Sequence, residues 1–196
     1  MRDEPAGATP FDSDGLIPEH IQTREQLFIA EARNISKATL KYLATAPSKR
    51  MAPFTREWAY RLHHEMFGDV WAWAGKRRIT QTNIGAPPHE IDSRLKDLFD
   101  DLTEWHKHKS YPLIEQAARL HHRAVLIHPF NNGNGRWSRL LANILIKRSG
   151  SAPIDWLEND ISNQTAARTQ YLSAIRAADE QDYAPLIALH QRYSTC

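Results

Sequence analysis

The sequence predicts an all-α domain interrupted by one short β-hairpin flap. Three observations carry this expectation. Apolar residues recur at intervals of three and four over most of the chain. Helix-start and helix-stop residues bracket those stretches. The rhythm fails once, over 75–92, where Gly75, Gly85, Pro87 and Pro88 surround Ile79, Thr80 and Thr82.

The elements follow in order. Residues 1–22 carry Pro5, Pro10 and Pro18 among Gly, Asp and Ser, and read as an extended arm whose Phe11, Leu16 and Ile17 can dock on the body. The domain proper is expected over 23–196. Thr23 with Glu25 and Gln26 is a helix start, and that helix runs to about Leu43, ahead of Pro47. From Thr55, the stripe Trp58, Ala59, Leu62 and Met66 leads to a stop at Gly68. After the flap, Leu95, Leu98, Phe99, Leu102 and Trp105 form one apolar face, and Leu113, Ala117, Leu120, Ala124 and Ile127 a second. Trp137, Leu140, Leu141, Ile144 and Leu145 form a third, and helices over about 163–178 and 183–193 close the chain.

Composition narrows the function classes. The chain has 196 residues, 41% of them hydrophobic, enough for a real core in one domain. With 25 basic against 23 acidic residues there is no basic stripe, so direct nucleic-acid binding is not expected. The densest cluster, Lys76-Arg77-Arg78, reads at least as well as a solvated turn. The N-terminus has no signal pattern, no apolar run approaches a membrane span, and the one cysteine, Cys196, is terminal. A soluble protein of the reducing cytoplasm is expected. The histidine pairs His63-His64 and His121-His122 raise a metal-dependent hydrolase, but neither a His–Asp pair nor an H-E-x-x-H spacing supports one. His121 and His122 read as one core-facing and one solvent-facing residue.

The chemistry is concentrated in His128-Pro129-Phe130-Asn131-Asn132-Gly133-Asn134-Gly135-Arg136-Trp137-Ser138-Arg139. A Gly/Asn loop permits positive φ and turns successive N–H groups inward, an anion nest where a helix begins. Arg136 and Arg139, three apart, can share one side of the first turn. With His128 just before the nest, the set describes a polyphosphate cradle with a proton acceptor at its rim.

This segment is similar to the Fic signature, H-x-F-x-[D/E]-G-N-G-R-x-x-R, at every defined position except the acidic one, where Asn132 stands. Further similarity lies in His64-Glu65-Met66-Phe67-Gly68-Asp69-Val70-Trp71-Ala72-Trp73-Ala74-Gly75 and in Tyr171, Ala174 and Asp182 to Leu186, so the resemblance covers about 55–190. The opening, Ala6-Gly7-Ala8-Thr9-Pro10 and Gly15-Leu16-Ile17-Pro18, resembles the subgroup labelled "mobile mystery protein B".

The resemblance implies a Fic-type helical bundle that transfers AMP from ATP to a Ser, Thr or Tyr hydroxyl of a target protein. His128 is implied as the general base, and Asn134, Gly135 and Arg136 as holding the α- and β-phosphates. Arg139 is implied at the γ-phosphate, and Gly133 with Gly135 in letting the backbone approach. The flap residues Ile79, Thr80, Thr82, Ile84 and Gly85 fall where the family lays an extended target segment, and an ordinary surface hairpin reads them equally well. Asn132 falls where the family binds Mg2+ through a carboxylate, so a weakly held Mg2+ is implied. The alternative is a weak or inactive Fic-fold module that binds nucleotide or protein. Phosphoryl transfer, as in Doc-type relatives, fits less well, since Gly135 and Arg139 are both present. The only glutamate followed by Gly or Asn is Glu158, with Ile154 four residues before it and not Ser or Thr. That departs from the family's inhibitory motif and points to restraint by a separate protein, as in toxin–antitoxin pairs.

Overall fold

Side-chain caps set the starts of three of the described α-helices. In the computed structural model, which describes residues 14–156, 161 and 165–194, Thr23 and Gln26 form a reciprocal capping box at the start of α1 (Arg24–Leu43). Thr55 accepts from the Trp58 N–H at the head of α2 (Arg56–Phe67), and Thr165 does the same for Arg168 at the head of α6 (Ala166–Asp179). Between them lie α3 (Ile91–His108), α4 (Leu113–Ile127) and α5 (Asn134–Arg148), and α7 (Ala184–Arg192) follows α6.

The antiparallel pair α4 and α5 forms the centre, joined by the His128–Gly133 loop. α3 and α7 pack on α4, α1 packs on α2 and α5, and α6 packs on α7. Every residue from Trp137 to Ile146 of α5 is buried. A helix enclosed on all sides holds its first turn still, and that turn carries the loop of interest. The mid-helix amide of α5, Asn143, is satisfied by the Ile154 backbone in both directions, at 2.9 Å each.

The predicted hairpin is not there. Among the described residues, β structure is confined to two isolated bridges, Leu16 with Trp71 and Ile154 with Ser194. The flap is an irregular loop that ends in a 3-10 turn, Pro88–Glu90. The reason is local. The carbonyls a ladder would use are taken by side chains: Thr80 and Ala86 by Arg78, and Ile84 by the Thr82 hydroxyl.

Arg78 is also not a solvated turn residue but 1% exposed. Both His121 and His122 are buried, not one of them. His122 does have an aspartate partner, Asp179 from α6 at 2.8 Å, with the Tyr183 hydroxyl on its other nitrogen at 3.2 Å. That pairing spans elements 57 residues apart, which no local spacing reveals. Of the N-terminal arm, Phe11 lies outside the described residues. Gly15 and Ile17 pair through their backbones with Ala72 and Val70, both at 2.8 Å.

Candidate functional site

The apolar stripe of α4 ends at Ile127, and His128 takes the left-handed conformation at φ 50° and ψ 59°. Few non-glycine residues sit there, and the surroundings must hold one that does. Phe130 supplies one anchor: fully buried, it stacks on the His63 ring at 3.6 Å and meets Trp137 edge-on. Asn134 supplies a second, its amide bonding both the N–H and the carbonyl of Phe130 at 3.0 and 2.8 Å. Gly133, at φ 77°, is required twice over, since a Cβ there would stand 2.6 Å from the Phe67 ring.

His63 ties this loop to the turn after α2. The Gly75 N–H donates to its Nδ1, so the proton is on Nε2, which donates to the Asn132 carbonyl at 3.0 Å. Burial holds its pKa down to about 3, with Arg136 adding to the effect, so the imidazole stays neutral and the tautomer is fixed.

Sequence reasoning missed this role. It also missed Glu31, although 31, 34, 38 and 42 form the buried face of α1 and a glutamate there is out of place. Glu31 accepts from the Trp71 indole at 2.7 Å and pairs with Arg136 at 2.5 Å. The α1 helix thus presents a carboxylate to the first signature arginine. The predicted Glu158 lies outside the described residues.

The remaining predicted residues gather around the same loop. The N–H groups of Asn134, Gly135 and Arg136 lead α5 and have no intrahelical acceptor. They stand at the positive end of a 15-residue helix. Since the Asn134 side chain is committed to Phe130, what Asn134 offers a ligand is its backbone. Arg136 lies over the Phe67 ring and Arg139, buried, over Tyr171, with Nη1 3.4 Å from where a Gly135 Cβ would be. The two arginines therefore lean on different neighbours.

His128 is half-buried, and its pKa is lowered to about 4, first by burial and then by the Arg78 charge. Its Nδ1 is shut off from solvent without a well-formed hydrogen bond, which leaves Nε2 as the nitrogen able to meet a substrate. In the flap, Gly85 comes against His128, whereas Ile79 and Ile84 are exposed, as is Thr80.

The donor set fits a nucleotide better than a protein-held metal. Among the described residues no group of three or more His, Cys, Asp or Glu side chains could hold an ion. Asn132 Oδ1 already accepts from the Gly133 N–H at 2.7 Å. A hard cation wants carboxylate charge, and the loop has none to give.

Residues 53–146 match the Fic/DOC family model. A protein adenylyltransferase of Caenorhabditis elegans, fic-1, is 33% identical over 125 residues, 62% of this chain and 23% of the relative. The Drosophila grimshawi protein adenylyltransferase Fic is 35% identical over 130 residues, 64% of this chain and 26% of the relative. The chain thus spans about a quarter to a third of the length of the curated relatives it matches. The solved C. elegans Fic-1 structure superposes with a TM-score of 0.70 at 26% identity, covering 92% of this chain and 52% of that one. The BepC protein of Bartonella tribocorum, solved with AMPPNP bound, gives 0.69 at 19% identity, covering 95% and 99%, which shows a shared fold. The helical fold is therefore the Fic-like one. No helix among the described residues is long and apolar enough to cross a membrane.

Proposed function

This chain carries a Fic/DOC family domain, and on that premise we propose that it is a protein adenylyltransferase that moves AMP from ATP to a Ser, Thr or Tyr hydroxyl. The observation that carries the reading is the His128–Arg139 segment. Its helix-leading N–H groups and two arginines stand at a helix head, one short loop away from a neutral histidine. The names of the relatives and the nucleotide bound to BepC support the same donor.

The chemistry follows from these groups. ATP lays its phosphates on the Asn134, Gly135 and Arg136 N–H groups, with Arg136 and Arg139 adding charge-assisted bonds, Arg139 toward the γ-phosphate. The flap docks an extended segment of the target. Nε2 of His128 takes the proton of the hydroxyl as its oxygen forms a bond to the α-phosphorus. The bond from that phosphorus to the bridging oxygen breaks, and pyrophosphate leaves. Mg2+ would arrive on the phosphates, with Asn132 adding only a weak dipole, and no step assigned to the chain's residues depends on it. Restraint by a separate protein, as in a toxin–antitoxin pair, completes the reading.

The test is His128→Ala. ATP binding by isothermal titration should stay within about twofold of wild type, while transfer of α-labelled AMP into the proteins of a cell lysate should disappear. Full transfer by the variant would sink the assignment of the base. The second reading, a binding module without turnover, is favoured by Asn132 alone; it wins if wild-type chain binds ATP and labels nothing.

A further inference from the structure

The flap carries a fully buried guanidinium that the chemistry above leaves unused. Arg78 is 1% exposed and, among the described residues, pairs with no carboxylate. Its Nε donates to the His128 carbonyl at 2.7 Å, Nη1 to Thr80 at 2.9 Å and Nη2 to Ala86 at 2.5 Å, with Ile127 farther off at 3.5 Å. Its backbone N–H donates to the Pro129 carbonyl at 2.9 Å.

We infer that Arg78 is a positioning residue that locks the flap and the His128 loop into one rigid unit, so that the base and the docked hydroxyl keep a fixed geometry; this rests on the transfer reading above. The acceptors fall into two groups. Ile127 and His128 are the last carbonyls of α4, the negative end of that helix, where a cation is stabilised. Thr80 and Ala86 are the two sides of the flap. One planar fork therefore spans both, in a way that a point charge cannot.

Its bond to His128 also bears on the strained residue itself. In the left-handed conformation the direction of the His128 carbonyl is set together with that of its ring, and Arg78 holds that carbonyl. The fit is close: a Cβ on Gly85, at φ 109°, would stand 2.6 Å from both Arg78 Nη2 and His128 Cβ. The charge acts in the same direction as the geometry. Among the described residues, Arg78 from the flap is the charged group that bears on the His128 ring; from α4 the ring meets the Val125 carbonyl, and no carboxylate of those residues counters the charge. A neighbouring cation disfavours imidazolium, which keeps the ring able to accept a proton.

Two variants separate positioning from mere stapling. Arg78→Lys keeps the charge and loses the fork. Maximal AMP transfer into lysate proteins should fall about tenfold to a hundredfold, with apparent KM for ATP within about twofold of wild type, because the phosphate contacts are elsewhere. Arg78→Met removes the charge as well. In a 13C-histidine-labelled chain, the His128 ring signal, assigned by its loss in His128→Ala, should then titrate at higher pH, toward the ordinary value of about 6.5. If Arg78→Met does not fold, Gly85→Ala leaves the arginine in place, wedges the flap from His128, and should lose transfer as Arg78→Lys does.

Transfer within about twofold of wild type in both Arg78→Lys and Gly85→Ala overturns the inference. So does an unmoved His128 titration in a folded Arg78→Met chain. A wild-type chain that transfers nothing sinks the functional reading instead, and the titration arm still decides whether Arg78 sets the state of His128.

Discussion

At the scale of single residues, Asn132 separates what the signature loop needs for its shape from what it needs for chemistry. Its Oδ1 accepts from the Gly133 N–H and its carbonyl accepts from the His63 Nε2–H, so the position is structurally filled without a carboxylate. Asp at 132 could make the same bond to Gly133, since Asp and Asn serve such turns alike, while adding a full charge. Asn132→Asp is therefore predicted to keep the fold and to raise transfer at sub-millimolar Mg2+ severalfold. Transfer rate measured against Mg2+ concentration for both proteins checks this. A parallel or lower curve for the variant would show that the carboxylate repels the triphosphate more than it attracts the cation. Asn134 teaches a related lesson. The resemblance puts it at the phosphates, and because both ends of its amide are committed to Phe130, only its backbone N–H is left for that role.

At the scale of elements, the informative contact is α1 against the head of α5. Glu31 accepts from Trp71 with one oxygen and pairs with Arg136 through the other, so one carboxylate links three segments distant in sequence. Both side chains are largely withdrawn from water, 10% and 25% exposed, so the pair is screened less than a surface one. Glu31→Gln keeps a hydrogen-bonding group for Trp71 and loses the charge; a cost of about 1 kcal/mol is expected. Glu31→Ala leaves both partners unmet and should cost about 2–3 kcal/mol. Urea unfolding of the two variants checks the order. Equal losses would mean that the indole bond contributes nothing and the charge everything.

At the scale of the whole molecule, the interior carries imidazoles that must stay neutral. Burial lowers the pKa of His63 to about 3 and of His190 to about 4, and places His121 well below its ordinary value. Each binds its proton more weakly folded than unfolded, so the unfolded chain takes up protons first as pH falls. The stability these groups contribute is present above about pH 6.5 and is lost on acidification toward the folded-state values. The slope approaches about 1.4 kcal/mol per pH unit for each imidazole. Denaturant midpoints should therefore fall steeply between pH 7 and pH 5, a change that His190→Gln or His121→Gln should flatten. Midpoints independent of pH over that range would show that these rings are not buried neutral.

The sequence by itself determined the helices and the signature loop, because both are local. Apolar spacing and the Thr23, Thr55 and Gly68 boundaries depend on neighbours a few residues away, and the His128–Arg139 segment is contiguous. The flap was misread as a hairpin because its carbonyls go to Arg78 and Thr82 rather than to a partner strand, and side-chain capture of a backbone leaves no periodic trace. Tertiary structure alone decided that Arg78 is buried, that His122 meets Asp179, and that Glu31 reaches Arg136 across 105 residues. Each is a polar group whose burial is tolerable only because a distant segment supplies its partner.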